Sequence, residues 1–286
     1  MYTFCKCYKY CSGGFFMIID THTHIFPDKI AGSALHKLSE VIDLKPGTNG
    51  TYDGLRASMD EAGIDVSLVL PVVTSPHQFD SILRFAVFLN ENFSQCEGPR
   101  LISFGGIHPE CSDYKVLLRQ VKNAGLKGIK LHPNYQNTDF NDVRFKRIIY
   151  AASELGLIVL THAGFDPYTP SHEYCTPDMI LDVLKDVEPP KLILAHMGSN
   201  ENYQESMDKL CGQNVWLDTA YSIIRMPENE LVRMIHMHGA DKVLFATDSP
   251  WAGQKEAVEH FKNLSGLSEK EKEQILWGNG AALLGI

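Results

Sequence analysis

Eight short apolar runs, rich in valine, isoleucine and leucine, constrain the fold of this chain more than any other feature. They are residues 17–22, 66–73, 101–108, 128–132, 157–162, 191–196, 214–220 and 242–248. Their hydrophobicity is continuous rather than alternating, which is typical of parallel strands that are buried on both faces. The intervals between them are long enough for helices, so the pattern predicts eight βα units.

Helical signals occupy several of these intervals. Apolar residues in 140–155 recur at helical spacing and stop before Gly156, a residue that commonly ends helices. Segments 75–95 and 226–238 have the same character, whereas 25–50 is predicted to be a long loop with a short helix over the barrel mouth. Eight βα units in about 270 residues match a single (β/α)₈ TIM barrel, an α/β fold. A doubly wound open sheet is the rival, but no GxGxxG turn follows the first run.

The pattern assigns residues 17–286 to one barrel domain and leaves residues 1–16 outside it. We expect 1–16 to be a disordered extension, or a leader that precedes a true start at Met17. The alternative is a metal-binding tract, because Cys5, Cys7 and Cys11 lie there. A signal peptide is disfavoured, since the stretch has no apolar core and no small-residue cleavage site.

Charge and composition exclude some partners. The net charge is −9 and no cluster of Lys or Arg is present, so we expect no nucleic-acid partner. No apolar run reaches the ~18 residues of a membrane span. The seven cysteines do not resemble a disulfide framework, and reduced thiols in a cytoplasmic protein are the better interpretation.

Side chains that can bind metal ions stand at the ends of six of the apolar runs. Such strand ends form the active-site face of a barrel, which brings these side chains to one rim. They are His22 and His24, His108, His132, His162, His196 and Asp248.

His22 and His24 are two residues apart on an extended chain, so their side chains leave the same face and one divalent ion can accept both. The alternative is a pair of ordinary surface histidines. Asp248 could bind the same ion and take a proton from a metal-bound water, or it could cap the next helix. By contrast, His236 and His238 are predicted to be surface residues, because positions two apart on a helix do not share a face.

Five short motifs together resemble the amidohydrolase superfamily, in particular the amidohydrolase-related (amidohydrolase 2) branch, which includes decarboxylases, lactonases and hydratases. The motifs are DTHTH (20–24), GIKLHP (128–133), THAG (161–164), LAHMG (194–198) and ATDSP (246–250). The resemblance implies a barrel with its active site at the carboxyl ends of the strands. It also implies a metal-dependent enzyme.

By this resemblance, His22, His24, His162 and Asp248 bind the metal, while His196 orients the activated water or polarises the substrate. Asp248 and His196 are therefore the expected catalytic residues. Zn²⁺ suits imidazole and carboxylate ligands, although Mn²⁺ and Fe²⁺ would also accept them. One ion is favoured. If two bind, His162 and His196 would hold the second.

Lys130 has three interpretations. It could recognise a substrate carboxylate, it could be carbamylated and bridge two metal ions, or it could pair with a buried carboxylate such as Asp20 or Asp218. His132 and Tyr135 would line the substrate pocket under the first two. His108 could contact the substrate, or it could orient a metal ligand.

The main functional prediction is a hydrolase that attacks a small amide, ester or lactone with metal-activated water. The alternative is a non-oxidative decarboxylase or hydratase of an unsaturated or aromatic acid. A TatD-like deoxyribonuclease is disfavoured, because Lys130 stands where such enzymes place a glutamate and because the chain is acidic. The expected partner is a small, carboxylated substrate, and a homodimer is possible.

Overall fold

A computed structural model describes residues 17–42 and 44–286 of the chain. The prediction for residues 1–16 lies outside the described residues. In the described part, strands alternate with helices from one end to the other. The eight strands are β1 (Ile19–Thr23), β2 (Val66–Val69), β3 (Arg100–Ser103 and Gly105–Gly106), β4 (Gly128–Leu131), β5 (Ile158–Thr161), β6 (Leu192–Leu194), β7 (Trp216–Asp218) and β8 (Val243–Leu244).

All strand pairs are parallel and follow chain order, so the eight predicted strands are confirmed. The two segments of β3 are separated by Phe104, whose N–H donates to the Val69 carbonyl at 3.0 Å. Between β1 and β8, the Thr21 N–H donates to the Phe245 carbonyl at 3.0 Å, and Thr23 and Ser249 form a parallel bridge. The fold is the predicted (β/α)₈ TIM barrel.

The helices of the described residues lie in the intervals between strands. They are α1 (Asp28–Ile42), α2 (Tyr52–Ala62), α3 (Phe79–Phe93), α4 (Tyr114–Asn123), α5 (Val143–Glu154), α6 (Pro177–Val187), α7 (Tyr203–Leu210), α8 (Ser222–Arg225), α9 (Glu228–His238), α10 (Gln254–Asn263), α11 (Glu269–Glu273) and α12 (Asn279–Leu284). None of these helices is long and apolar enough to cross a membrane.

Local sequence explains several of the helix ends. Thr176 accepts a hydrogen bond from the Met179 N–H and precedes Pro177 at the start of α6, a common N-terminal combination. After α5, Gly156 adopts a left-handed conformation with φ 69°, as the sequence predicts. The short helix expected in 25–50 is wrong in length, because α1 runs for 15 residues before the loop that contains Pro46 and Gly47.

The apolar residues divide into two cores. One lies between the strands and the surrounding helices and includes Val69, Ile129 and Val159. The other includes Leu68 and Leu160, neighbours of Val69 and Val159 along their strands. Because side chains alternate across a strand, this division assigns one core to the helix side and the other to the barrel interior.

One predicted surface residue is buried. His236 is exposed at the end of α9, but His238 retains only 8% of its accessible surface. Its ring lies between the Gly212 N–H and the Val215 carbonyl, at 3.3 and 3.1 Å. The prediction for His238 is therefore wrong, because the helix ends against the loop before β7.

Candidate active site

Three histidines at the barrel rim are oriented by hydrogen bonds to their Nδ1 atoms. His24 Nδ1 lies 2.9 Å from the Leu70 carbonyl, and His196 Nδ1 lies 2.9 Å from the Ala220 carbonyl. A carbonyl oxygen can only accept, so these Nδ1 atoms carry the hydrogen and Nε2 keeps its lone pair. An ionised Asp218 does the same for His22, at 2.8 Å.

The Nε2 atoms of His22 and His24 then face each other at 3.1 Å. Asp248 Oδ1 lies 3.3 Å from His24 Nε2 and 3.5 Å from His22 Nε2. Two lone pairs and a carboxylate oxygen repel one another unless a proton or a cation lies among them. The three ligand atoms are within 4.8 Å of one another, so they form a donor set that fits a divalent metal ion.

Two residues of the rim, Asp248 and His196, have left-handed backbone conformations. Asp248 has φ 71° and His196 has φ 56°, a region that costs a non-glycine residue about 1–2 kcal/mol. Two hydrogen bonds hold these conformations. The Asp248 N–H donates to the His22 carbonyl at 2.9 Å, and the His196 N–H donates to Asp218 Oδ1 at 2.9 Å. Strain of this kind is concentrated at functional sites.

Lys130 is fully buried in β4, and its Nζ lies 3.1 Å from His22 Nε2. Within the described residues it forms no ion pair with Asp20 or Asp218, so the interpretation that pairs it with one of them has no contact in its favour. The Asp20 carboxylate is instead bound by Thr247 and Gln254. Burial lowers the pKa of Lys130 to about 8, while nearby carboxylates, Asp218 first, act in the opposite direction.

A second cluster lies beside the first and contains His132, His162 and Asp166. Asp166 Oδ2 is 3.7 Å from His132 Nε2 and 3.8 Å from His162 Nε2. The His132 ring stacks against His162 on one side and Tyr135 on the other, with centroids 4.4 and 3.8 Å apart. His162, predicted as the fourth ligand of the His22 site, thus faces this second cluster, and its ligand role stays a prediction.

The sequence pattern does not distinguish Asp166 from other acidic residues. Asp166 follows His162 by four residues in the loop after β5, and acidic residues are common in loops.

His196 connects the two clusters, with its Nε2 3.1 Å from His162 Nδ1. Burial lowers the pKa of His22, His132, His162 and His196, which favours the neutral imidazoles that bind metal ions. For these four histidines, the form that burial favours is the one that metal ligation requires.

His108 is buried but lies apart from these contacts. Its Nδ1 accepts a hydrogen bond from the Glu110 N–H at 3.2 Å, and in the described part of the chain no hydrogen bond joins it to either cluster. Burial also lowers the pKa of His108. Its contact with substrate stays a prediction.

Comparison with known proteins identifies the family. The family model described as "Amidohydrolase" matches residues 113–286. A curated relative, the gamma-resorcylate decarboxylase of Polaromonas sp. strain JS666, is 33% identical over an alignment that covers 32% of this chain and 33% of that protein. The chain thus aligns with about a third of the length of this relative.

Solved structures share the fold along almost the whole chain. A 2,6-dihydroxybenzoate decarboxylase in complex with 2,6-dihydroxybenzoate has a TM-score of 0.72 at 16% identity, covering 95% of this chain and 100% of that one. The 5-carboxyvanillate decarboxylase of Sphingomonas paucimobilis has a TM-score of 0.68 at 18% identity, with coverage of 95% and 100%. A dihydroxybenzoic acid decarboxylase of Polaromonas sp. JS666, with bound manganese and the inhibitor 2-nitroresorcinol, has 0.69 at 18%, with coverage of 95% and 97%.

These likenesses confirm the barrel. The match of the family model, which spans four of the five motifs, confirms the resemblance to this family. Because that model covers more than half of the chain, this protein belongs to the amidohydrolase family of enzymes.

Proposed function

We propose that this enzyme is a metal-dependent decarboxylase of a hydroxylated aromatic acid. The named relatives favour this alternative over the hydrolase that was the main prediction from the sequence, since the curated relative and the three similar structures described above are all decarboxylases. The substrate class follows their names, which refer to benzoates that carry hydroxyl groups on the ring.

His22, His24 and Asp248 would hold the metal. Their donor atoms suit Zn²⁺, which we expect, and also Mn²⁺, which is bound in the Polaromonas structure. When bound, such an ion supplies Lewis-acid stabilisation of negative charge on a substrate oxygen. His162 would complete the set as a fourth ligand only if it turned away from His132.

The observation that carries the proposal is the position of Lys130. A buried ammonium 3.1 Å from a metal-binding nitrogen is a binding site for an anionic group that also reaches the metal. A carboxylate at this position is removed from water, because Lys130, His22 and His196 each expose less than 5% of their surface. Loss of hydration destabilises the carboxylate more than neutral CO₂, which favours its departure.

Proton balance assigns a role to Asp248. The bond between the ring carbon and the carboxyl carbon breaks, its electron pair stays on the ring carbon, and one proton must reach that carbon for each CO₂ released. We propose that Asp248, which stands beside His22 and His24, relays this proton: its carboxylate takes a proton from a water molecule and passes it to the ring carbon, and the hydroxide left behind takes up the CO₂ as bicarbonate or is neutralised by solvent. His196 Nε2, which keeps its lone pair, would then position the substrate by accepting a hydrogen bond from one of its hydroxyl groups.

The test is release of CO₂ from a panel of hydroxybenzoates and carboxyvanillates, with the arene product measured in parallel. We expect equal amounts of both products, with activity abolished by a chelator and restored by Zn²⁺ or Mn²⁺. His22→Ala should reduce the rate by more than the about 10–100-fold that loss of a hydrogen-bond partner of a metal ligand costs, because it removes a ligand itself. His172→Ala removes an exposed histidine outside both clusters and serves as the control.

Other outcomes would overturn this proposal. Opening of lactones or esters without CO₂ would restore the hydrolase as the main function. Metal-dependent cleavage of DNA above background would support the nuclease.

A further inference from the structure

Asp166, in the loop after β5, has a buried carboxylate oxygen that accepts no hydrogen bond from the residues that the structure describes. The residue is only 6% exposed. Its Oδ1 accepts a hydrogen bond from the Tyr168 N–H at 2.7 Å. Its Oδ2 lies 3.7 Å from His132 Nε2 and 3.8 Å from His162 Nε2, and both distances are too long for a hydrogen bond. A buried acceptor of this kind is unfavourable unless a bound molecule supplies a donor.

This oxygen faces the site described above. His132 follows Lys130 by two residues along β4, so the two side chains leave the same face of the strand. Burial raises the pKa of Asp166 to about 6, and the charges of Asp248 and Lys130 also act on this carboxyl, in opposite directions. Asp166 is therefore close to the two groups that the proposed mechanism uses to bind the carboxylate and to relay the proton.

His132 places a hydrogen-bond donor beside this acceptor. Its Nδ1 accepts from the Tyr135 N–H at 3.4 Å, so in the neutral ring Nε2 carries the hydrogen. Burial lowers the pKa of His132, which favours that neutral form. A donor and a charged acceptor thus border the same space. A hydroxyl group suits both, because it donates one hydrogen and accepts through its lone pairs, whereas an ether or a fluorine cannot donate.

We propose that Asp166 is a specificity-determining residue, which selects aromatic acids with a ring hydroxyl whose hydrogen it accepts at Oδ2. The role rests on the proposed function, in which Lys130 holds the carboxylate of the same ring. A site that is built to bond a hydroxyl strongly rejects an analogue without it, because the buried acceptor is then left unpaired. His162 takes no part in binding this hydroxyl and stays available to the metal.

The test measures binding of benzenesulfonates to the metal-loaded, full-length protein, since a sulfonate is an anion for Lys130 that cannot leave as CO₂. One series of 2-hydroxybenzenesulfonates carries a second hydroxyl at each remaining ring position in turn. A matched series carries fluorine there, which is similar in size but cannot donate. Calorimetry gives the affinities. At one ring position, we expect the wild type to bind the hydroxyl compound about 10–100-fold more tightly than its fluorine partner.

Asp166→Asn separates recognition of the hydroxyl from support of the loop. The amide oxygen can still accept the Tyr168 N–H, while the amide NH₂ puts a donor in the place of Oδ2. The preference for hydroxyl over fluorine should therefore disappear or reverse. A purely structural role would weaken both compounds alike and leave their ratio unchanged. Asp139→Asn, in a solvent-exposed pair with His172, should keep the wild-type ratio.

Two results would overturn the role of Asp166: a wild-type ratio in Asp166→Asn, or no preference for hydroxyl at any ring position in the wild type. Release of CO₂ from the corresponding hydroxybenzoates is measured separately. Absence of CO₂ together with a clear hydroxyl preference would refute the decarboxylase and leave Asp166 as a binding residue. Release of CO₂ without that preference would refute the role of Asp166 alone.

Discussion

At the scale of single residues, Asp218 orients the His22 ring in the proposed metal site. It is fully buried at the end of β7, where Oδ1 accepts the His196 and Ala220 N–H groups at 2.9 and 3.1 Å. Its Oδ2 accepts from His22 Nδ1. Partners of this kind fix the tautomer of a metal-binding histidine.

We therefore expect Asp218→Asn to weaken metal binding about 10–100-fold. The amide oxygen would take the place of Oδ1, where it can still accept the two N–H groups. The amide NH₂ would then face His22 Nδ1 and shift the ring hydrogen to Nε2, which removes the lone pair. Competition with a chelating dye measures the change. Asp186→Asn, at an exposed carboxylate paired with Lys146, should bind metal as the wild type does. An unchanged affinity in Asp218→Asn would contradict this role.

His238 should contribute a pH dependence to stability. Burial lowers the pKa of His238, and both of its ring nitrogens are paired in the neutral form. In the unfolded chain its pKa is about 6.5, so below that pH the unfolded state binds the proton that the folded state excludes. Its contribution is complete above pH 6.5 and is lost as the pH falls, by at most about 1.4 kcal/mol per pH unit.

Urea unfolding of wild type and His238→Gln at pH 7.5 and 5.5 measures this effect. The wild type should lose more stability than the variant between the two values. The comparison isolates His238 from the other buried histidines and from Asp20 and Asp218, whose raised pKa values give the opposite dependence. Equal losses in both proteins would show that His238 titrates alike in the folded and unfolded states.

At the scale of elements, the loops after β5 and β6 are joined where Gly164 bridges Asn200. Gly164 has φ 85°, and a Cβ at this position would lie 2.2 Å from the Asn200 nitrogen. The bridge therefore depends on glycine for both conformation and space. The bridge also holds the loop in which His162 and Asp166 lie two residues before and after Gly164.

Gly164→Ala should destabilise the protein by clearly more than the about 1–2 kcal/mol that a left-handed conformation costs alone. Gly125→Ala is the matched control, because Gly125 has φ 78° but no atom within 4 Å of an added Cβ. Thermal unfolding of the two variants separates steric overlap from backbone strain. Equal losses would mean that the loops move apart without cost.

Elements themselves were largely predictable from the sequence. All eight strands lie within the apolar runs or extend past them by one residue, and α5 ends before Gly156, because continuous burial and helical periodicity are local properties. The last strand is regular only at Val243–Leu244. Beyond it, side chains of neighbouring strands hold the backbone: Thr219 Oγ1 bonds to Ala246, and the Asp20 carboxylate bonds to Thr247. Such contacts have no signature in the local pattern.

At the scale of the whole molecule, closure of the barrel makes one site from distant parts of the chain. His22 and Asp248, at opposite ends of the described sequence, come within 3.5 Å because β1 and β8 are adjacent. Asp20 reinforces this seam, since its buried carboxylate accepts hydrogen bonds from Thr247 and Gln254. Burial raises the pKa of Asp20 to about 6.

The sequence by itself determined the fold class, the family and the set of rim side chains, because the hydrophobicity of the strands and the residues at their ends are local features of the sequence. Only the tertiary structure decided how those side chains group. His162 faces His132 and Asp166, while Lys130 meets His22 rather than Asp20 or Asp218. These contacts depend on strand register and ring rotation around a closed barrel, which no local pattern specifies.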